Sequence, residues 1–438
     1  MTSAADPVAR TDLTTTLAPD LIEELRWRGM LHQHTPGLPE RLSRGPIAAY
    51  NGFDPTADSL HVGHLVPVFG LLHLQRHGHR PIAVVGGGTG MIGDPSGRSA
   101  ERNLLDEETL ARNVAGIGRQ LEHFLDFTPG PSGARLVNNL DWLGTYGLIE
   151  FLRDVGKHFT IPYMLGKDSV QTRLDAGLSF TEFSYMLLQS ADFLHLYREM
   201  GVELQTGGAD QWGNITAGLE LIRKVQRVEE DAGEDAAPAH ALSFPLLTNT
   251  SGQKFGKSEG LNVWLDRMRT SPYQFYQYWI DVPDQDVAKL LRTFTLFDRA
   301  SIELLEAEQA ATPEGRPAQR ALAWDITARV HGREEAEVAR RASEVRFAQQ
   351  MPDRETLRAV AAQPDFLVAR SVLSSAIEFA VAAGIASSNG EARRLITQGG
   401  LRVNDERVTD PTAPVPAAID GAFFVRAGKK RLIGRVDG

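Results

Sequence analysis

Tyr50-Asn51-Gly52-Phe53-Asp54-Pro55-Thr56-Ala57-Asp58-Ser59-Leu60-His61-Val62-Gly63-His64 is the stretch that decides how this 438-residue chain is read. The apolar run from Pro46 to Phe53 is a short strand that ends in a polar loop. Leu60–Gln75 then has the apolar spacing of a helix. His61 and His64 therefore stand three apart, on one face, at a strand-to-helix junction. Free backbone N–H groups and the positive end of the helix dipole suit a phosphate there. Gly63 has no side chain, so a nucleoside can lie against the backbone. The same spacing also admits two ordinary surface or core histidines. It admits a metal pair as well, but no carboxylate partner accompanies it, and His73, His77 and His79 offer no better set.

Outward from this junction, strands and helices alternate. Arg80–Val85 is a buried-type strand followed by the turn Gly86-Gly87-Gly88-Thr89-Gly90-Met91-Ile92-Gly93-Asp94. Glu107–Phe127 is helical in pattern, Leu136–Asn139 is a strand, and Trp142–Val155 is a helix. Val202–Thr206 is a strand, and Gly207-Gly208-Ala209-Asp210 leads into a helix over Ile215–Gln226. This alternation predicts a doubly wound parallel sheet of the Rossmann-like α/β class. Such sheets bind ligands beyond the carboxyl ends of their strands, so the glycine-rich turns should share one cleft. The turn at Gly86–Asp94 is not a Walker loop, since no Gly-Lys-Ser/Thr closes it. It reads either as a tight buried turn or as a close approach of backbone to ligand, with Arg98 and Arg102 following at helical spacing.

A second motif lies far downstream: Gly252-Gln253-Lys254-Phe255-Gly256-Lys257-Ser258-Glu259-Gly260. In isolation it is a surface turn with two lysines. Lysine is scarce in this chain, 8 residues against 38 arginines, so two in one short loop carry weight. A mobile cationic loop closes on a polyphosphate as charge develops, which stabilises a transition state rather than a ground state.

Composition narrows the class. With 42% hydrophobic and 23% charged residues the chain is of ordinary globular character and long enough for two or three domains. It has no cysteine, which excludes disulfides, thiolate zinc sites and cysteine nucleophiles. No run reaches the ~18–20 apolar residues of a membrane span. The N-terminal stretch carries Asp6, Arg10, Asp12 and Asp20 and no apolar core, so no secretory signal is expected and the cytoplasm is the expected compartment. The formal net charge is −10, yet residues 370–438 hold ten Lys/Arg against seven Asp/Glu. On charge, a polyanion belongs at that end.

The segments 50–64, Gly90–Gly97, Phe183–Phe193, Gly207–Asn214 and Lys254–Ser258, in this order, resemble the bacterial tyrosyl-tRNA synthetases of the class I aminoacyl-tRNA synthetase family. The resemblance runs from about Leu25 over nearly the whole chain. It implies a Rossmann-like catalytic domain with an inserted helical dimerisation segment at 1–245. A mobile lysine loop and helical domain would follow at 246–350, a linker at 351–370, and a small α+β RNA-binding domain at 371–438. It also implies two steps. Tyrosine and ATP give tyrosyl-adenylate and pyrophosphate, and the tyrosyl group then passes to the terminal ribose of tRNA(Tyr).

Residue by residue, the resemblance places Thr56, His61, Lys254, Lys257 and Ser258 around the β- and γ-phosphates, with Arg98 and Arg102 nearby. Asp54, Gly63, His64, Gly208 and Asp210 would hold ATP, its nucleoside included. Asp94, Tyr185 and Gln189 would take the tyrosine ammonium group, and Gln211 would lie on the carboxylate side. Tyr50 and Asp192 would pair the phenolic hydroxyl. On their own, Tyr185 and Gln189 are a helix face at i, i+4 and Tyr50 is plain core. Magnesium would accompany ATP, with no protein-bound metal or prosthetic group. Departures from the family pattern, Arg98 for the more frequent lysine and Phe255-Gly256 within the lysine loop, bear on ATP affinity and remove no required charge.

Ser371–Gly438 resembles the small RNA-binding module of a ribosomal small-subunit protein. Arg393, Arg394, Arg402, Lys429, Lys430 and Arg431 are its candidate phosphate contacts, against the alternative of a solvated charged face. By the same resemblance the partners are L-tyrosine, ATP and tRNA(Tyr), in a homodimer, with no membrane and no DNA. Three rival readings stand beside this one. A catalytically silent RNA-binding paralogue would have broken motifs, yet both histidines, both loop lysines, Tyr50 and Asp192 are present. The related tryptophanyl enzyme would have no use for a pair built for a hydroxyl. A small-metabolite nucleotidyltransferase would lack the lysine loop and the basic tail.

Overall fold

The structure is a computed structural model. It describes residues 20–438 apart from 95, 97–104, 168–169, 172–173, 175–176, 230–238, 249–256, 259–260, 348–350, 362–363, 429 and 438. The chain divides into two compact units. The first comprises 1–266 and 282–322, the second 267–281 and 323–438.

The first unit is built on a six-stranded sheet. In chain order its strands are β1 (Gln33–His34), β2 (Ala48–Phe53), β3 (Arg80–Val85), β4 (Arg135–Asn138), β5 (Val202–Gly208) and β6 (His240–Phe244). They lie side by side as β1-β6-β5-β2-β3-β4, all parallel except β1, which runs antiparallel to β6. The chain winds outward from β2 through β3 to β4, then returns to add β5 and β6 on the other side. The switch point therefore lies between β2 and β5, and the crevice for a ligand opens above it. The continuous apolar run of β3 is buried, as expected for an inner strand covered on both faces.

Two helices matter most for the crevice. Leu65–Arg76 follows β2 and is buried on nearly every side. Phe180–Met200 starts on Ser179, whose hydroxyl accepts from the Glu182 amide, and stops on Gly201 at φ 64°. Glycine adopts that left-handed turn without strain and delivers the chain directly into β5. Tyr185, Gln189 and Asp192 fall on one face of this helix, at i, i+4 and i+7.

Two sequence expectations are corrected. The helix expected over Trp142–Val155 is two short helices, Leu140–Leu143 and Leu148–Asp154, separated where Gly144 and Gly147 interrupt it. The helix expected from Leu60 begins at Leu65, after a 3₁₀ turn over Val62–His64.

Beyond the sheet, β7 (Lys257–Ser258) and β8 (Leu261–Asn262) form a two-stranded hairpin, pairing Lys257 with Asn262 and Ser258 with Leu261. The helices Asp284–Phe294 and Arg299–Ala311 also belong to this unit. The enclosed Arg28 guanidinium bonds Glu24 and the carbonyls of Arg292, Thr295 and Phe297, which ties the first helix to that region.

The second unit contains the helices Pro272–Ile280, Arg333–Phe347 and Arg354–Val360. It also holds a five-stranded sheet of β9 (Phe366–Val368), β10 (Leu401–Val403), β11 (Glu406–Val408), β12 (Ala422–Ala427) and β13 (Lys430–Val436), in the order β11-β10-β12-β13-β9. Its alternating residues are buried on both faces. Phe423 and Val425 meet the helices Ala376–Ala382 and Asn389–Thr397 through Phe379, Ala392 and Ile396. Phe424 and Ile433 point the other way, onto Ala342, Val345, Leu357 and Val360. The stretch expected as a linker, 351–370, thus carries one helix of this unit and one strand of its sheet.

Candidate functional site

A cleft of about 600 Å³ opens at the carboxyl ends of β2 and β5. Eleven of the residues singled out from sequence line it: Tyr50, Asp54, His61, His64, Asp94, Tyr185, Gln189, Asp192, Gly208, Asp210 and Gln211. Thr56 is exposed in the loop after β2, and Gly63 is exposed between the two lining histidines. Arg98, Arg102 and Lys254 lie outside the described residues. Of Lys257 and Ser258 the structure describes the backbone, in β7.

One wall is the histidine turn. The Gly63 amide donates to His61 Nδ1 at 3.0 Å, and the His61 amide donates to His64 Nδ1 at 3.1 Å. This reciprocal cap brings the rings to 4.0 Å between centroids. Because each Nδ1 accepts, a neutral ring carries its proton on Nε2, so each presents an N–H donor. Desolvation, with the His61 charge adding to it, lowers the His64 pKa to about 3, so His64 is neutral at working pH.

The same turn is fastened to the root of the lysine loop. Val62 N–H donates to the Val263 carbonyl at 2.9 Å and Leu265 N–H to the Leu60 carbonyl at 2.9 Å. Trp264 pairs with His61 and sets its ring edge-on, 5.8 Å between centroids. The histidine turn and the stretch that follows the second motif, Val263–Leu265, are therefore neighbours through backbone, and Asn262 of β8 lines the cleft.

A third element holds the loop between β2 and the histidines. Along the helix Glu107–Leu121, Asn113 Nδ2 donates to the Pro55 carbonyl. Gln120 bonds both the Leu60 amide and Ser59 Oγ. Between them, Gly116 lies so close that a Cβ there would fall 2.0 Å from the Asp58 carbonyl oxygen. No motif announces these residues, since polar groups on an amphipathic helix read as a solvated face.

The inner end of the cleft is enclosed and polar. Tyr50 is 2% exposed, and its hydroxyl has no hydrogen-bond partner among the described residues. Burial, with the Asp192 charge beside it, pushes the Tyr50 pKa well up. Asp192 Oδ2 accepts from Asn139 Nδ2 at 2.8 Å and Oδ1 from Trp142 Nε1 at 2.7 Å. Desolvation raises the Asp192 pKa to about 7, against the pull of those two donors and with Asp54 adding to the rise. Asn139 is itself held, accepting from the Gly88 amide at 2.7 Å and donating to Thr89 Oγ1 at 2.9 Å. Sequence reasoning missed Asn139 and Trp142 as partners of Asp192. Their only signal was a strand end and a short helix start in a distant part of the chain.

Toward the cleft mouth, Asp94 accepts from the Ser96 amide and from Gln211 Nε2. Asn214 Nδ2 faces Gln211 Oε1, which leaves the Gln211 amide N–H₂ toward Asp94. Tyr185 O–H points to Asp54 Oδ1 at 3.4 Å, and Gln189 Oε1 is buried with no partner among the described residues.

The basic candidates of the second unit do not form one patch. Arg393 and Arg394 are exposed on the helix Asn389–Thr397, which covers the Leu401/Val403 face of the sheet, and Lys430 shares that side near Glu391. Arg402 and Arg431 lie on the opposite face. There they continue a row with two arginines not singled out from sequence, through the pairs Arg407–Arg402, Arg402–Arg426 and Arg426–Arg431. Lys429 lies outside the described residues.

Comparison with known proteins bears on both units. Residues 42–348 match the family described as tRNA synthetases class I (W and Y), and residues 358–433 match the tyrosine–tRNA ligase SYY-like C-terminal domain. The chain is similar to the tyrosine–tRNA ligase of Cytophaga hutchinsonii, 47% identical over 426 residues, covering 94% of this chain and 98% of the relative. It is 50% identical over 430 residues to that of Porphyromonas gingivalis, with the same coverage. Among solved structures it is similar to a C-terminally truncated mitochondrial tyrosyl-tRNA synthetase of Coccidioides posadasii. That match has a TM-score of 0.65 and 32% identity, over 73% of this chain and 91% of the other.

Proposed function

Because the chain belongs to the class I tRNA synthetases of the tryptophan and tyrosine branch and has tyrosine–tRNA ligase activity, we propose that its cleft is divided into a phenol end, an ammonium station and a phosphate wall. The observation that carries this reading is the enclosed hydroxyl of Tyr50 beside Asp192, without a partner among the described residues. A substrate phenol entering there donates to the Asp192 carboxylate and accepts from Tyr50 O–H. Phenylalanine would leave the Tyr50 hydroxyl without an acceptor there and Asp192 without that third donor. Tyrosyl-tRNA synthetases are themselves the standard example of such a site, with discrimination on the order of 10⁵. Asp94, Tyr185 and Gln189 take the ammonium group, and Gln211 turns its N–H₂ to the carboxylate.

At the other end His61 offers an Nε2–H donor, and Thr56, Lys254, Lys257, Ser258, Arg98 and Arg102 complete the wall around the phosphates. Asp54, Gly63, His64, Gly208 and Asp210 hold the rest of ATP, its nucleoside included. Magnesium arrives with ATP, on phosphate oxygens and water. A tyrosine carboxylate oxygen attacks the α-phosphorus, the bond to the bridging oxygen breaks, and pyrophosphate leaves. The nucleophile is already ionised, so the step needs alignment and charge stabilisation rather than a base. A terminal ribose hydroxyl of tRNA then attacks the carbonyl carbon and AMP departs. The groups that meet tRNA phosphates lie among Arg393, Arg394, Arg402, Lys429, Lys430 and Arg431, and the cytoplasm, where tRNA is charged, is the site of action.

The enzyme works as a homodimer. Leu148, Ile149 and Phe180 are 73%, 75% and 76% exposed on the helices Leu148–Asp154 and Phe180–Met200, three large apolar side chains for a monomer to leave in water. Ile149→Asp should give a monomer by light scattering, and a dimer that persists at micromolar concentration would refute this face. The catalytic reading is tested by tyrosine-dependent ATP–pyrophosphate exchange with phenylalanine and tryptophan as controls. Asp192→Ala should lower kcat/KM for tyrosine by at least about 100-fold. An intact tyrosine/phenylalanine ratio in that variant would overturn the pocket assignment.

A further inference from the structure

Asp192 is held by two donors, and one of them is itself held by a side chain outside the cleft. The Trp142 indole lies flat against the His195 ring, with centroids 4.6 Å apart and planes 10° from parallel. His195 stands three residues beyond Asp192 on the helix Phe180–Met200, so both project to one side. Trp142 is enclosed, while His195 is half-buried. The imidazole therefore closes the outer face of the indole whose N–H meets Asp192 Oδ1. Burial holds His195 below the usual histidine range, with Glu199 opposing, so the stacked ring is neutral at pH 7.

An indole donates along one line in its plane. Its hydrogen bond at 2.7 Å survives only while that plane keeps its tilt toward the carboxylate. Asn139 is fixed by Gly88 and Thr89, so the second donor has its own support. Trp142 sits in a four-residue helix that ends at Gly144, and His195 is the aromatic ring stacked on its indole.

We propose that His195 is a positioning residue for amino-acid selection: by stacking on Trp142 it aims the indole N–H at Asp192 and so holds the carboxylate in the orientation that accepts a substrate phenol. The proposal rests on the reading of Asp192 as the phenol acceptor. It adds a selectivity determinant that touches neither substrate nor ATP.

The test is ATP–pyrophosphate exchange by the full chain with tyrosine and with phenylalanine. His195→Ala should raise KM for tyrosine and lower the tyrosine/phenylalanine ratio of kcat/KM by roughly 3–10-fold, the scale of one aromatic pair. KM for ATP should stay unchanged. The ratio does not depend on the fraction of folded enzyme, so partial misfolding leaves it alone. His195→Phe keeps a ring on the indole and should restore the ratio to within about twofold of the original. In a Trp142→Phe background, which has no N–H, His195→Ala should have no further effect on the ratio. An original ratio in His195→Ala overturns the proposal, as does failure of rescue by His195→Phe or full additivity with Trp142→Phe. Asp192→Asn separates the two levels. If it leaves the ratio unchanged, the reading of the phenol end fails. If it lowers the ratio while His195→Ala does not, only the role of His195 fails.

Discussion

Asp192 carries an ionisable carboxyl in a place that penalises its charge, and this has consequences on both sides of folding. Its pKa in the folded chain is about 7, while the ordinary value is 3.8. Between those values the native state holds a proton that the unfolded chain has released. Native protein therefore gains stability as pH falls through 7 and loses it as pH rises. Relative to Asp192→Asn, the wild type should gain about 1–3 kcal/mol between pH 8 and pH 5, read by urea denaturation at each pH. A difference that does not change with pH would show that the carboxyl is ionised throughout. Activity should run the opposite way. Below about pH 7 the protonated carboxyl no longer accepts from the phenol, so kcat/KM for tyrosine should fall. Phenylalanine has no hydroxyl to lose, and its slow exchange should show no such limb. His64 does not supply the limb, because its pKa of about 3 leaves it neutral across the range.

The helix Glu107–Leu121 acts on the cleft without lining it. Asn113 and Gln120 grip the loop after β2 by polar groups, and Gly116 lets the two backbones touch. Gly116→Ala would drive a methyl against the Asp58 carbonyl, which is backbone and has no rotamer to yield. The expected cost is about 1–3 kcal/mol in denaturant unfolding, with a several-fold rise in KM for ATP through the displaced histidine turn. An unchanged unfolding midpoint together with an unchanged KM would show that the loop gives way freely. This clamp also marks what the sequence leaves hidden. The strand Arg80–Val85 was legible residue for residue because an inner parallel strand is a bare apolar run. The histidine and lysine motifs, each open to an ordinary reading alone, gained meaning from standing in order with three further matched segments. Asn113, Asn139 and Trp142 were not, because each acts only where a segment distant in sequence folds against it. The break at Gly144 and Gly147 was overlooked for a different reason: apolar periodicity on both sides of it hides two glycines.

At the scale of the molecule, charge is distributed against the average. The chain carries a formal charge of −10, yet the second unit sets four arginines abreast across β11, β10, β12 and β13. Like charges directly opposite one another weaken a sheet, so folding alone gives no reason for the row. Asp405 forms an ion pair with Arg426 at 2.6 Å and offsets only part of the row's charge. A polyanion laid across the strands would neutralise the rest, and this is the feature that a count of basic residues along the sequence could not reveal. It also supplies a choice, because Arg393 and Arg394 stand on the other side of the same sheet. If the row meets tRNA, Arg402→Ala with Arg407→Ala should leave ATP–pyrophosphate exchange unchanged and should not lower the unfolding midpoint. KM for tRNA in the charging reaction should rise. The slope of log KM against log salt should flatten by about one unit for each arginine that meets a phosphate. Arg393→Ala with Arg394→Ala provides the comparison in the same assay. Should that pair flatten the slope while the row variants keep the original one, tRNA lies on the helix side and the arginine row has no part in charging.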